Sequence, residues 1–448
     1  MLKIIPGKFN KIFNEVKETR KKLIRSGGLI ALRDFIIDSG LIQLINVYIK
    51  DNRKQERIKY PISELLVNMI LRILDGEKRI YNFRLTVNEF LYSAISSGSG
   101  SPHFNTFRYL LLRNKLLNKV LTKILLQFCL MDLKIRIQNG ELKSITLDTD
   151  QTGKEIYGQQ EGVEKGYFAS GRGKKGFQIQ LWTIREVKSL LKVELRSGEK
   201  YSVNGFYKDL RYLIKALKAL GVPILVVGDS GYEDKQVMAL LEDNGIKFIF
   251  AEKQRKTVKQ RGKNAKNKII FPEEGWIIKN RAVQKWIKEK DYTFTEIFVY
   301  ASQVVDETGQ YLFADCYAGE FTNVFITNLN NPVSEVYMLY RKHAQVETII
   351  EELKNEFGLG NSCNETFVFN QAMTQIIALT YNVKTFYLIL LKEHLGKDGV
   401  SRMSTVRDEL IHIPAMMVNE GNKKVLKFSG NGLKLMGPIL KRFGYKVA

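Results

Sequence analysis

Cysteine is scarce in this chain, with three in 448 residues. Cys129, Cys316 and Cys363 are scattered and form no Cys-x-x-Cys pair, so neither a disulfide framework nor a zinc site is indicated, and a cytoplasmic, reducing setting is expected. Long apolar runs are missing as well. The most apolar stretch, Ile376 to Leu391, follows Gln375 and is broken by Asn382 and Lys384, which predicts a buried helix and excludes a membrane span. The opening Met1-Leu2-Lys3-Ile4-Ile5-Pro6-Gly7-Lys8 has no signal-peptide core, so export is not expected. No internal repeat is present, which excludes a solenoid. Acidic residues are in deficit, at 47 against 70 Lys plus Arg, giving a net charge of +23 and a pI near 9.6. Such a field gathers polyanions, and nucleic acid is the expected partner; the plainer alternative is a protein that is merely basic.

What is present is apolar enough to fold. A hydrophobic share of 44% supports real cores, and the length corresponds to roughly three domains of about 150 residues. Residues 1–138 read as wholly helical, with apolar positions at three and four spacings through Leu29 to Ile49 and Ile62 to Leu74. A small-residue turn at Ser96 to Gly100, Ser101 as N-cap and Pro102 at the first helical position predict a helix from His103 to about Lys119. With the helix before it, this segment outlines a helix-turn-helix whose Arg108, Arg113 and Lys115 would face DNA; plain bundle packing is the equal alternative.

From residue 139 the period changes. Ile145 to Leu147, Phe177 to Thr183 and Leu190 to Leu195 read as successive strands, followed by a helix from Gly205 to Leu220, the strand at Ile224, a helix over Asp234 to Asn244 and a strand at Phe248 to Phe250. This order predicts an α/β fold with a mixed sheet. Lys253 to Lys268 then holds eight basic residues in sixteen and no acid. Lys253, Arg255, Lys256, Lys259 and Arg261 head this block, which reads as a mobile loop able to neutralise phosphates. Ile269 to Phe271, Trp276 to Ile278, Phe298 to Tyr300 and Tyr311 to Phe313 look like strands of a small separate sheet. Trp276 and Trp286 read first as core filler there, with base stacking as the alternative. Val324 to Thr327 returns to the core, and one helix is expected from Val333 to Phe357, stopped by Gly358. The expected layout is 1–138 helical, 139–360 as core interrupted by a basic β-rich insertion at 253–322, and 361–448 helical and mixed.

Three acidic stations stand out. Ile224-Leu225-Val226-Val227 runs into Gly228-Asp229-Ser230-Gly231, placing a carboxylate at the carboxyl end of a buried strand, where open α/β sheets keep their chemistry. Asp148 and Asp150 lie on one face of the strand from Ile145. Asp150 is preferred as a ligand because of its Asp-x-Thr setting with Thr152, and Asp148 is the alternative. On the Val333 helix Tyr340, His343, Glu347 and Lys354 share one face, beside an apolar stripe of Val336, Leu339, Val346, Ile350 and Leu353. Hard oxygen donors of this kind suit Mg²⁺ or Mn²⁺, and a pair of ions can stabilise both the entering and the departing oxygen of an in-line phosphoryl transfer.

These residues resemble the DDE transposases of bacterial insertion sequences. Asp150, Asp229 and Glu347, the last two 118 positions apart, flank a basic Trp-bearing insertion. Tyr340-x-x-His343-x-x-x-Glu347-x-x-x-x-x-x-Lys354 is similar to the Tyr-Arg-Glu-Lys signature of the cut-and-paste group, as are Leu147 to Thr152, Tyr157 to Gly162 and Gly228 to Tyr232. The likeness runs loosely from about Ser26 to about Leu426. It implies an RNase H-like core, two Mg²⁺ or Mn²⁺ ions on Asp150, Asp229 and Glu347, and phosphate contacts from Tyr340 and Lys354. It further implies cleavage at terminal inverted repeats and strand transfer into target DNA within a homodimer. Some relatives pass through a DNA hairpin and seat a flipped base on a Trp, for which Trp276 and Trp286 are both candidates. His343 departs from the signature, where Arg is expected, and a neutral imidazole holds phosphate less firmly than a guanidinium. A catalytically inactive DNA-binding descendant and a stand-alone RNase H-like nuclease are the other readings.

Overall fold

Ile224–Gly228 is a strand because four apolar residues, two of them β-branched valines, can be buried on both faces of a parallel pair. The computed structural model places it at the centre of a ten-stranded sheet. The structure describes residues 22–447 apart from 54–55, 57, 87–89, 95, 97–99, 115, 169–170, 266, 272–275, 288, 302–320, 362–363 and 393–401. Tyr311 to Phe313, Lys115, Cys316, Cys363 and most of the Ser96–Gly100 turn lie outside the described residues.

The strands are β1 (Lys22–Ile24), β2 (Ile145–Glu155), β3 (Glu164–Phe168), β4 (Gly171–Ile184), β5 (Ser189–Ser197), β6 (Ile224–Gly228), β7 (Lys247–Ala251), β8 (Asn267–Phe271), β9 (Trp276–Ile287), β10 (Lys290–Ala301), β11 (Phe321–Thr327), β12 (Ala415–Glu420) and β13 (Lys423–Phe428). The large sheet has the order β3-β4-β2-β6-β7-β11-β10-β9-β8, with β5 also on β4. β2, β4 and β5 are antiparallel neighbours, whereas β6 and β7 run parallel to β2. The parallel register brings Thr149 opposite Gly228, so Asp150 and Asp229 both follow directly from paired positions. The helix Phe206–Lys218 buries Phe206, Leu210, Leu213, Ile214 and Leu217 at helical spacing on the sheet face that holds Trp182, Tyr232 and Phe248.

The apolar helix foreseen near residue 376 runs from Phe367 to Leu390. Its polar residues have a specific use. Asn382 bonds both the N–H and the C=O of Leu190, each at 2.8 Å, and Gln375 donates to the Val193 carbonyl at 2.6 Å. These are backbone groups on the outer edge of β5, so the helix closes a sheet edge that would otherwise stay unpaired. Among the described residues no helix is long and apolar enough to cross a membrane.

Several expectations are corrected. The insertion does not form a separate sheet: β11 pairs antiparallel with both β7 and β10, so the long β9–β10 hairpin and β8 continue the central one. The basic block is not all loop, because Lys256–Lys263 is a helix anchored by buried Val258. The Val333–Phe357 helix is two helices, Val333–Arg341 and Gln345–Asn355, joined by a 3-10 turn at Lys342–Ala344. Residues 22–24, read as part of a helical region, form β1 and pair with β12 in a three-stranded sheet with β13. His103, not Ser101, caps the next helix, accepting the Asn105 N–H, and that helix stops at Arg113 before Leu117–Gln138 begins. Ser101 instead accepts from the buried Arg72 guanidinium.

Candidate active site

Asp150 sits on β2 one residue beyond the last pairing with β6, and Asp229 is the first residue after β6. Gln151 N–H donates to Asp150 Oδ1 at 2.7 Å, and Gly231 N–H donates to Asp229 Oδ1 at 2.9 Å. A side chain on Gly231 would collide with Ser202 Oγ, so glycine there keeps the Asp229 turn closed against the 198–204 segment. Beneath the two carboxylates, Gln180 Nε2 donates to Thr149 Oγ1 and to the Tyr232 hydroxyl, both at 2.7 Å. Trp182 stacks on Phe206, and Tyr232 packs tilted against Phe206, forming an aromatic floor. The residues next to each acid are therefore fixed by buried packing.

Glu347 lies in the first turn of Gln345–Asn355, whose buried residues Val346, Ile349, Ile350 and Leu353 seat that helix. Its carboxylate is exposed and acts on Asp150. Burial pushes the Asp150 carboxyl up to about 6, and repulsion from Asp229 and Glu347 adds to this, while the Gln151 N–H and His343 oppose it. Asp229 is open to solvent on one side, yet desolvation within the cleft still raises its carboxyl against the Gly231 N–H, His343 and Lys253. Asp150 thus feels the charge of both Asp229 and Glu347.

Tyr340 packs on Phe325, with ring centroids 4.2 Å apart, and adjoins His343 at 5.7 Å. Burial and the surrounding carboxylates of Asp229, Asp150, Asp148 and Glu347 raise its phenol far above the usual range, so it remains a proton donor at neutral pH. Lys354 Nζ donates to Thr152 Oγ1 at 2.6 Å and to the Gly153 carbonyl at 3.1 Å. Burial lowers its ammonium pKa, which Asp150 partly offsets. Thr152 therefore serves as the anchor of a cation on β2.

Asp148, the alternative first carboxylate, is committed elsewhere. It is 1% exposed and receives Arg185 Nε at 2.7 Å and Nη2 at 2.5 Å, while His343 Nδ1 lies 2.8 Å from its Oδ1. With both oxygens taken, it is a poor ion ligand. Arg185 Nη1 also donates to the Leu339 carbonyl at 2.7 Å, tying β4 to the end of Val333–Arg341 just before the 3-10 turn. Sequence reasoning missed Arg185. The available signal was a guanidinium immediately after a buried strand, beside the register position of Asp148.

Among the other candidates, Lys253, Arg255 and Lys256 are exposed just beyond β7, and Lys253 is near enough to act on Asp229. Lys259 is half-buried. Arg261 is withdrawn from the surface set: it bonds Glu252 at 2.8 Å and Glu296 at 2.7 Å, two buried carboxylates of the sheet. Arg108 is exposed on Phe104–Arg113, far along the chain from this cluster. Trp276 opens β9, and Trp286, near its end, is 63% exposed, so it is not core filler.

Among the described residues no three Asp, Glu, His or Cys side chains converge closely enough to hold an ion as they stand. The donor chemistry nonetheless fits a hard divalent cation. Asp150, Asp229 and Glu347 offer only oxygen, and the repulsion that Asp229 and Glu347 exert on Asp150 is what a bound cation would relieve.

Residues 15–432 match the family model described as Transposase DDE domain group 1. Among solved structures, the chain is similar to one titled "Cryo-EM structure of piggyBac transposase synaptic complex with hairpin DNA (SNHP)", at 12% identity and a TM-score of 0.45, covering 87% of this chain and 81% of that one. No curated protein matches the sequence.

Proposed function

The chain belongs to the family Transposase DDE domain group 1, and from that premise we propose that it is the cut-and-paste transposase of a bacterial insertion sequence. Asp150, Asp229 and Glu347 would hold divalent ions, Mg²⁺ or Mn²⁺, which when bound would supply the Lewis-acid charge an in-line phosphoryl transfer needs. The observation that carries this reading is geometric: Asp150 and Asp229 follow directly from the paired Thr149 and Gly228, and the helix that bears Glu347 is tied to the same strand through Lys354 on Thr152.

Around them the chain's own groups have distinct tasks. Tyr340 stays protonated and donates a hydrogen bond to a phosphate oxygen. Lys354, steadied by Thr152, supplies a fixed positive charge beside Asp150. Lys253, Arg255 and Lys256 line the approach from the β7 side and neutralise backbone phosphates. Trp286, exposed on the long hairpin, is favoured over Trp276 as the surface for an unpaired base.

The sheet order β5-β4-β2-β6-β7, three antiparallel strands followed by two parallel ones, supports an RNase H-like core spanning 139–360, with 253–322 inserted. We assign terminal-repeat recognition to the helices before residue 138, through Arg108 and its neighbours, and the active assembly to a homodimer. A DNA-binding relative that no longer cuts is a second reading, favoured by one observation: His343, at the position of the signature's Arg, is engaged with Asp148. Incubation with Mg²⁺ and DNA carrying the element's inverted repeats separates the two. Nicking at the repeat end, lost in Glu347→Gln while end binding persists, is the expected result; specific binding without nicking by the unmodified chain would favour the binder.

A further inference from the structure

β2 is longer than its place in the central sheet requires. Pairing with β6 ends at Thr149, but β2 continues for six residues to Glu155, paired only with β4 on one side. That overhang is about 20 Å of strand at 3.3 Å per residue. It begins at Asp150, so it projects from the candidate active site.

Several segments are built onto this projection. The Ile156 N–H donates to the Lys175 carbonyl at 2.9 Å, bringing Tyr157 beside Lys175. β3 joins through the pairs Lys165 with Lys175 and Tyr167 with Arg172. The 198–201 turn is tied in by Gln151, whose Nε2 donates to the Lys200 carbonyl and to Gln178 Oε1, each at 3.1 Å. Gln178 in turn donates to the Tyr167 carbonyl at 2.8 Å. A side chain on Gly166 would strike the Gly198 carbonyl, so turn and hairpin abut through bare backbone. The residue next to Asp150 thus anchors the 198–201 turn directly and β3 through Gln178.

What this surface shows to solvent is unusual for a stable fold. Tyr157, Tyr167 and Tyr201 are 93%, 70% and 64% exposed. Lys165, Lys174 and Lys175 of the same hairpin are exposed as well, and Lys165 to Lys175 contains four basic residues and no acid. Exposed acids border it at Glu164 and at Glu199, the latter paired with Lys200 at 3.0 Å. Aromatic faces interleaved with lysines match nucleic acid in which some bases are unpaired, the rings stacking on bases and the ammonium groups meeting phosphates.

We propose that the β3–β4 hairpin, with Tyr157 and Tyr201, grips DNA flanking the reacting phosphodiester and stacks a base unpaired next to the break. The 20 Å reach corresponds to about six base-pair steps of duplex at 3.4 Å each. This rests on the transposase reading and names a DNA surface outside its signature residues.

The test uses the full chain and two probes, a 30-base-pair duplex and the same duplex with six central unpaired positions, titrated by fluorescence anisotropy over a range of salt. Lys165→Ala/Lys174→Ala/Lys175→Ala should lower the slope of log affinity against log salt by up to about 2.7, since each phosphate contact contributes about 0.9. Tyr157→Ala/Tyr201→Ala should weaken binding of the unpaired probe by about tenfold or more while leaving the slope unchanged. All five side chains are exposed, and matching circular dichroism melts will show that the variants are folded. Wild-type affinity and slope in both variants would overturn the proposal. If those variants bind normally and Glu347→Gln still abolishes nicking, this surface alone is wrong; if the unmodified chain binds neither probe at low salt, the transposase reading falls with it.

Discussion

His343 Nδ1 lies 2.8 Å from Asp148, and the same carboxylate is forked by Arg185. Three groups from β2, β4 and the 3-10 turn are therefore locked together beneath the acidic cluster. Asp148 and Arg185 are both buried, so removing one strands the other's charge. Asp148→Ala should lower the unfolding free energy by about 3 to 5 kcal/mol, measured by urea denaturation. Asp150→Ala should cost far less stability and far more cleavage. If the two variants behaved alike in both assays, Asp148 would return as a ligand.

The pH dependence of the metal-free chain has a definite sign. Asp150 and Glu252 are raised in the fold, to about 6 and about 7, in both cases first by burial; for Glu252, repulsion from Glu296 adds to it. A raised carboxyl binds its proton more tightly when folded, so stability falls as pH rises between about 4 and 7. Asp75 works in the opposite direction. Burial alone would raise it, but bonds from His412, Ser26 and Tyr92 hold it at about 2, so its contribution is lost as pH falls below the ordinary carboxylate value. Thermal melts should therefore peak near pH 4 to 5. Added Mg²⁺ should shift the maximum towards neutrality, because the ion takes the place of the proton at Asp150. A maximum at pH 7 without metal would contradict this.

Arg261 and Lys253 separate structure from binding within one basic block. Arg261→Ala removes the cation shared by Glu252 and Glu296, leaving Glu296 only the longer Arg281 pair, and should cost about 3 kcal/mol, the low end for a broken buried pair because Arg261 is partly exposed. Lys253→Ala/Lys256→Ala should leave the melt unchanged and lower the salt slope of DNA binding by up to about 1.8. Melting curves and salt titrations of both variants decide the matter; the reverse pattern would return Arg261 to the DNA surface.

Lys354→Met removes a charge held beside Asp150 by Thr152. Cleavage should fall by about a hundredfold or more, the scale of losing one preorganised electrostatic group, with end binding nearly retained. Thr152→Val keeps the amine but leaves it only the Gly153 carbonyl, and should give an intermediate loss. Equal activity in wild type and Thr152→Val would show that the anchor is unimportant.

Much of the strand geometry around the candidate site was legible. The Ile224–Val227 run placed Asp229 just past a buried strand and the Ile145–Leu147 signal placed Asp150 on the neighbouring one, but β2 does not end there and runs on to Glu155. The helix at 367 was legible too, but the purpose of Asn382 and Gln375 was not, because the β5 edge they satisfy lies nearly two hundred residues away in sequence. The β9–β10 hairpin was underestimated because Lys279, Asn280, Arg281, Gln284 and Lys285 hide its apolar alternation. Nothing local marked the 3-10 break at Lys342–Ala344, which has neither glycine nor proline and which Arg185 pins through the Leu339 carbonyl. The helix in the basic block was missed for the opposite reason: charge hid the buried Val258 and the inward Arg261 that hold it to the sheet.

Manganese binding by isothermal titration calorimetry, on the unmodified chain and on Asp150→Asn, Asp229→Asn and Glu347→Gln at pH 7.5, addresses the convergence of the three carboxylates most directly. The account predicts saturable binding by the unmodified chain, weakened at least tenfold by each single substitution, with Asp148→Asn affecting it least. Binding that is absent in the unmodified chain, or indifferent to all three substitutions, would contradict it.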